Sequence, residues 1–285
     1  MKILLTGASG QVGHELQRSL QGLGEVIAVD RTRMDLADLD QVRDVIRAVR
    51  PGLIVNPAAY TAVDRAETEG ELAQRINAEA PAVMAAEARL LGAAMVHYST
   101  DYVFDGSKPG PYVETDATNP INVYGRTKLA GEQAIIDSGV AHLIFRTSWV
   151  YGMRGSNFLL TMLRLARERS QLRVVADQIG APTWSRTIAD STALVLAQAQ
   201  GGGAGWWQQH GGIYHLSSQG STGWNGFTEE IIARAGLRCE VLPITSAEYP
   251  TAARRPANSR LDGGKLMQQL CRLPEWREAL ALCMG

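Results

Sequence analysis

Short runs of consecutive apolar residues alternate with amphipathic stretches through the first half of the chain. Residues 2–6, 25–29, 53–56, 94–99 and 142–147 read as strands, and 11–22, 39–50, 71–91 and 124–137 as helices. Strands alternating with helices predict βαβ units and a parallel sheet. Ile3-Leu-Leu5 and Leu53-Ile-Val55 are apolar at every position, as expected of strands covered on both faces.

Beyond Tyr151 the alternation loosens. Helices are expected at 157–168, 184–200, 227–235 and 265–270, with short strands at 213–216 and 240–242. The glycine-rich stretch 201–212, which holds Trp206 and Trp207, reads on composition as a flexible surface loop. The expected fold class is α/β: a Rossmann-like doubly wound parallel sheet over 1–150 and a smaller, mainly C-terminal α/β substrate domain over 151–285. Some later segments are expected to return to the first domain.

Bulk composition removes several function classes. The chain has 285 residues and a formal net charge of -1, so nothing in its overall charge draws it to nucleic acid or an anionic membrane. Neither a leader nor a membrane span is expected, and cytoplasmic residence follows as an expectation. The three cysteines, Cys239, Cys271 and Cys283, lack metal-ligand spacing and read as buried or idle thiols.

Candidate chemistry begins at the first turn. Gly7, Gly10 and Gly13 follow a strand and open a helix, which suits a tight turn, close approach of backbone to a pyrophosphate, and close helix–sheet packing. The helix N-terminus then offers unpaired N–H groups to phosphate. Asp30, ending the second strand, stands where a carboxylate grips an adenosine ribose diol and favours NAD. Arg31 and Arg33 follow at once and could neutralise a 2′-phosphate, so NADPH and NADH both stay open. Asp35 and Leu36, after Met34, could border the adenine, and the small Ala58 and Ala59 let backbone pass close to a dinucleotide.

Tyr124 and Lys128 stand four apart on a predicted helix, hence on one face, roughly 5–6 Å apart at Cβ. A phenol is a workable acid near neutral pH, and a nearby ammonium favours its ionised form. The fourth strand ends at Ser99 and Thr100, where open α/β sheets bind ligands, and either hydroxyl could bond a substrate carbonyl and the phenol. His97 reads as a packed strand residue. Trp149, at a strand end, could be a core residue or an apolar plate for a ligand. Arg254, Arg255 and Arg260 could pair with a diphosphate.

These motifs together resemble the dTDP-4-dehydrorhamnose reductases, within the extended short-chain dehydrogenase/reductases. The resemblance rests on the glycine loop, Ser99-Thr-Asp-Tyr-Val-Phe-Asp-Gly106, Tyr124-x-x-x-Lys128 and Phe145-Arg-Thr-Ser-Trp-Val-Tyr151. It runs on through Asp177-Gln-Ile-Gly-Ala-Pro-Thr183 and Ala253-Arg-Arg-Pro-Ala-Asn-Ser-Arg-Leu261, and so covers nearly the whole chain. It implies hydride transfer from NADPH or NADH to C4 of dTDP-4-dehydro-β-L-rhamnose, giving dTDP-β-L-rhamnose, with another nucleotide-linked 4-keto sugar as the alternative substrate. Tyr124 would be the proton donor, Thr100 would polarise the carbonyl, and Lys128 would anchor the ribose. Gln11, Val12, Asp30, Asp35, Leu36, Ala59, Tyr60 and Thr61 would line the cofactor, and Thr100, Asp101 and Trp149 the sugar nucleotide.

The partners so implied are a dTDP-sugar and, as an open expectation, a second copy in a homodimer. Some relatives dimerise through a metal held by acids; Glu15 could match one ligand, but Arg186 stands where another acid belongs, and no metal is expected. A 4,6-dehydratase would present a second carboxylate where Tyr102 stands, and an epimerase usually lacks the Thr-Asp-Tyr-Val-Phe run. A non-catalytic, NADP-binding regulatory subunit is the other class of reading. It has no need of Thr100, Tyr124 and Lys128, all of which are present. Lipopolysaccharide, another glycan or a small glycoside are the destinations such a rhamnose could have.

Overall fold

A computed structural model describes residues 1–285, apart from the side chain of Ala204. The chain runs β1 (Lys2–Leu5), α1 (Gln11–Ser19), β2 (Glu25–Ala28), α2 (Leu39–Val49), β3 (Leu53–Asn56), α3 (Val63–Ala66) and α4 (Gly70–Gln74). A π-helical turn, Arg75–Glu79, leads into α5 (Ala80–Leu91) and β4 (Ala94–Thr100). A 3-10 turn at Asp101–Val103 precedes α6 (Val123–Ser138) and β5 (His142–Thr147).

Side-chain caps start the helices where the sequence supplies them. Asp38 accepts from Gln41 N at α2, and Asn122 accepts from Gly125 N at α6. Gly92 and Gly139 end α5 and α6 in the left-handed conformation that glycine adopts without strain.

The second half continues with β6 (Val150–Tyr151), α7 (Phe158–Glu168), β7 (Gln171–Val175), β8 (Ile179–Gly180), β9 (Thr183–Trp184) and α8 (Ser185–His210). Then come β10 (Gly212–His215), β11 (Thr222–Gly223), α9 (Trp224–Arg234), β12 (Glu240–Ile244), α10 (Gly264–Gln269) and α11 (Trp276–Met284).

Six strands form one parallel sheet in the order β10-β5-β4-β3-β1-β2. The chain moves outward from β1 to β2, then returns to β3 on β1's other side, so the topological switch lies between β1 and β3. Open α/β sheets bind ligands at that crevice, beyond the carboxyl ends of the strands.

Alternate residues serve alternate faces. Ile3 and Leu5 pack with Leu16, Leu20, Ile188 and Val195 from α1 and α8. Leu4, Ile54 and Met95 pack with Val42, Ile46, Met84 and Ile135 from α2, α5 and α6. A third core joins α7, α9 and α11 around Leu163, Phe227, Ile231 and Trp276. It belongs wholly to residues after 150, while α8 and β10 extend the sheet layer.

The stretch 201–212 is not the loop that its composition suggests. Helix α8 runs through it to His210, with one non-helical residue at Gly203. Glycines cost a helix about 1 kcal/mol each, but Trp206 buries its ring in the main core and Trp207 packs edge-on against it. Burial of an indole offsets the poor propensity. The brief strands β6, β8, β9 and β11, and helix α11, also escape the sequence periodicity.

Candidate active site

The glycine loop lies at the carboxyl end of β1, facing the exit of β3. Gly7 has φ +58°, and a Cβ there would meet the Ala58 backbone at 3.0 Å. A Cβ on Gly13 would lie 2.1 Å from the Gly7 carbonyl oxygen, so only glycine lets α1 seat this closely. Gly10 is the N-cap of α1 without a side-chain bond, which leaves the first-turn N–H groups for an anion. This cradle fits a dinucleotide pyrophosphate. Gly13→Ala is expected to destabilise the fold by about 1–3 kcal/mol and to weaken NADPH binding; a thermal melt and a fluorescence titration check both.

The other cofactor candidates gather around this loop. Asp30 accepts from Thr32 N at 3.0 Å and Thr32 Oγ1 at 2.6 Å, bonds that hold its carboxyl below the usual range. Arg31 is tied to Asp35 at 3.2 Å, whereas Arg33 is exposed with no acidic partner among the described residues. Leu36, like Met34, turns into the core, which leaves Asp35 as the side chain nearer solvent. Val12 packs on the core, and the Gln11 amide oxygen accepts from Asn157 at 2.9 Å.

The backbone of Tyr60, between Ala59 and Thr61, is clamped by Asn77. Asn77 Oδ1 accepts from Tyr60 N at 2.8 Å, and Nδ2 donates to Tyr60 O and Thr127 Oγ1 at 3.1 Å. Asn77 sits in the π-helical turn, a distortion frequent at functional sites. Sequence reading missed it, because its partners lie 17 and 50 residues away.

Helix α6 places Tyr124, Lys128 and Glu132 on one stripe above β4 and β5. Burial pushes the Tyr124 phenol up to about 12; the Thr100 hydroxyl opposes this and the Asp101 charge adds to it. The expected lowering by Lys128 is absent, because that ammonium points elsewhere. Its Nζ donates to Tyr98 O at 2.6 Å and lies 3.1 Å from His97 Nε2. His97 is therefore more than strand packing.

Burial lowers Lys128 to about 8, partly opposed by the Glu132 charge. From its ordinary 10.5, that fall corresponds to about 3 kcal/mol. The folded protein thus sheds a proton near pH 8 that the unfolded chain keeps to about 10.5, and stability rises with pH across that window. Lys128→Met is expected to lose this rise. Denaturation midpoints of the two proteins at several alkaline pH values check it.

The residues expected on the sugar side are Asp101 and Trp149. Asp101 is 3% exposed, accepts from Thr100 Oγ1 at 2.9 Å, and has one oxygen without a partner. Burial raises its carboxyl to about 6, opposed by the nearby Ser259 and Thr100 hydroxyls. Trp149 holds φ +47°, uncommon for a bulky residue, and lies flat on Trp224 at 3.5 Å. On another side it meets Gly180, where a Cβ would come within 2.5 Å of the indole. Trp224 and Gly180 thus fix the plate, and sequence reading missed both.

The three arginines separate. Arg255 is already paired with Asp64 through two bonds of 2.8 and 3.0 Å. Arg260 binds Asn258 Oδ1 at 2.8 Å and Pro109 O at 2.5 Å. Arg254 gives its carbonyl to Asn122, the cap of α6, while its side chain is exposed with no acidic partner among the described residues. Among those residues no helix is long and apolar enough to cross a membrane.

Known proteins share both the sequence and the shape. The family model "RmlD substrate binding domain" matches residues 1–285. A dTDP-4-dehydrorhamnose reductase of Burkholderia thailandensis is 49% identical, with 100% of this chain and 98% of that one aligned. Its counterpart in Escherichia coli K12 is 47% identical over 97% and 95% of the two chains. The crystal structure of the Bacillus anthracis reductase in complex with NADP superposes with TM-score 0.90 at 37% identity, over 99% of this chain and 98% of that one. A UDP-glucose 4-epimerase of Thermus thermophilus, 20% identical with TM-score 0.83 over 100% and 98% of the two chains, shares the fold. The chain belongs to the RmlD family of dTDP-4-dehydrorhamnose reductases.

Proposed function

We propose that this protein reduces dTDP-4-dehydro-β-L-rhamnose to dTDP-β-L-rhamnose with NADPH or NADH, the last step in making that sugar nucleotide. The observation that carries the reading is the grouping of Tyr124, Thr100 and Lys128 around the carboxyl-terminal end of β4, on the same rim of the sheet as the glycine loop. Residues 1–150 hold the cofactor in this reading. Residues 151–285 chiefly hold the sugar nucleotide, with α8 and β10 returned to the sheet.

The first-turn N–H groups of α1 take the pyrophosphate, and Asp30 takes the adenosine ribose. Arg33 is the cation available to a 2′-phosphate. When bound, the reduced nicotinamide supplies a hydride to C4. Lys128 holds the nicotinamide ribose with an ammonium proton not given to Tyr98. With substrate in place, Thr100 turns its one hydroxyl proton from Asp101 to the C4 oxygen and so draws charge onto it. Tyr124, protonated at neutral pH because burial raises its pKa, delivers its proton to that oxygen as charge develops there. Trp149, fixed by Trp224, backs the apolar face of the deoxysugar, and Arg254 meets the diphosphate.

Deuterated NADPH tests this directly. The label is expected at C4 of the product, bonded to carbon and stable to exchange with water. A product without it, or one altered at C5 or C6, would assign a different reaction.

A further inference from the structure

Beneath α6, side chains on β3, on β4 and at the exit of β1 form a buried chain of hydrogen bonds that ends on Lys128. Thr6 Oγ1 lies 2.6 Å from Asn56 Oδ1, Asn56 Nδ2 lies 3.1 Å from His97 Nδ1, and His97 Nε2 lies 3.1 Å from Lys128 Nζ. None of the four residues is more than 1% exposed. Strand register builds the row. Asn56 stands opposite His97 across β3 and β4, and Thr6 N bonds Val55 O where β1 leaves the sheet. Met95, two residues before His97, packs in the core that α6 covers, so this face of the sheet looks at Lys128.

Proton accounting gives the row a direction. A neutral imidazole has one N–H and one lone pair, whereas an ammonium only donates. If Lys128 is an ammonium, Nε2 must be the lone pair and Nδ1 must carry the proton. Asn56 must then turn its oxygen to Nδ1–H and its NH2 to Thr6 Oγ1. That half-turn exchanges two atoms of similar size and leaves the shape of the row unchanged. With the NH2 group toward Nδ1, the ring proton sits on Nε2 and Lys128 must be a neutral amine. One set of heavy atoms thus admits two proton arrangements, and the charge of Lys128 selects between them. A cationic ring is disfavoured, because burial, and then the Lys128 charge, hold His97 well below its ordinary pKa.

We propose that His97 is the positioning residue of Lys128. As the Nδ1–H tautomer, with that proton taken by the Asn56 amide oxygen, it accepts from the ammonium through Nε2. Tyr98 O takes a second proton, which leaves the third directed at the cofactor ribose. This rests on the reading of Lys128 as the ammonium that anchors that ribose. Tyr124 and Glu132 share its face of α6, Arg146 on β5 is paired to Glu132, and Asp101 and Tyr102 stand at the exit of β4. All of them stay in place in the variants below.

Nitrogen-15 NMR of histidine-labelled protein with NADP bound reads the tautomer without any turnover. Assigned through its backbone, His97 is expected to show a protonated Nδ1 and a bare Nε2 from about pH 6 to about pH 7.5. A protonated Nε2, or an imidazolium, would overturn the proposal. A second arm follows kcat/KM against pH. His97→Leu removes an acceptor from the charged form of Lys128, so the alkaline limb is expected about one unit lower, with a rate about tenfold lower at its plateau. His97→Gln, whose amide oxygen can accept, is expected to restore the limb. A uniform loss of rate with an unmoved limb would mean a merely structural histidine. The two readings fail separately: the expected tautomer in a protein that reduces no sugar would sink the assigned reaction alone. An active enzyme with Nε2–H would sink this proposal alone.

Discussion

Tyr124→Phe is expected to lower kcat by about a thousandfold, within the range usual for loss of a general acid, and to leave the fold intact. Phenylalanine keeps the ring that packs edge-on against Tyr102, with centroids 5.9 Å apart and planes at 78°. Only the hydroxyl is lost, with its proton for the developing alkoxide. Because that proton moves only as the alkoxide forms, kcat and kcat/KM should fall together, with KM for the sugar nucleotide little changed. Steady-state kinetics with a parallel thermal melt check it. A loss confined to KM would instead make Tyr124 a binding residue.

The second large effect concerns stability. Arg146 on β5 and Glu132 on α6 form a pair at 2.6 Å with side chains 3% and 1% exposed, and Arg146 Nε donates to both carboxylate oxygens. Glu132→Leu is expected to cost about 3–5 kcal/mol, the usual penalty for stranding one charge of a buried pair. In a chain of this size that lowers Tm by about 10 °C. The Arg146 guanidinium already has one nitrogen without a partner, so the deletion leaves it nothing to exchange for water. Adding Arg146→Leu should recover part of the loss, because the stranded charge goes with it. Glu132 also sits one helical turn beyond Lys128 and favours its charged form, so the single variant should lose rate at alkaline pH as well.

The parts of the site legible in the sequence are those written in local spacing. The glycine loop, Asp30, the Tyr124–Lys128 pair and the polar end of β4 each depend on a few adjacent residues and on the strand–loop–helix context. The switch between β1 and β3 follows less directly, since it needs the order of strands as well as their existence. What spacing could not carry are partnerships across the fold. His97 meets Lys128 31 residues away, Asn77 meets Thr127 across 50, and Asp64 holds Arg255 across 191. Arg255 illustrates the consequence: read alone it is a cation for a diphosphate, yet its charge is already matched.

Local rules also misread where tertiary packing outweighs them. The glycines from 201 onward argue for a loop, but the buried face of Trp206 continues α8. The spacing of Tyr124 and Lys128 puts them on one face of the helix, yet side-chain direction, not Cβ spacing, decides where an ammonium goes. Two acceptors below the helix, Tyr98 O and His97 Nε2, draw Lys128 down into the sheet. Trp149 was visible as a plate, while the Trp224 face and the Gly180 gap that hold it were not.

The most direct test is loss of reduced-nicotinamide absorbance when the purified protein meets enzymatically made dTDP-4-dehydro-β-L-rhamnose, with NADPH and NADH run side by side. Rapid oxidation that yields dTDP-β-L-rhamnose is the predicted result. A folded, cofactor-binding protein that leaves the absorbance unchanged with both cofactors would contradict the account.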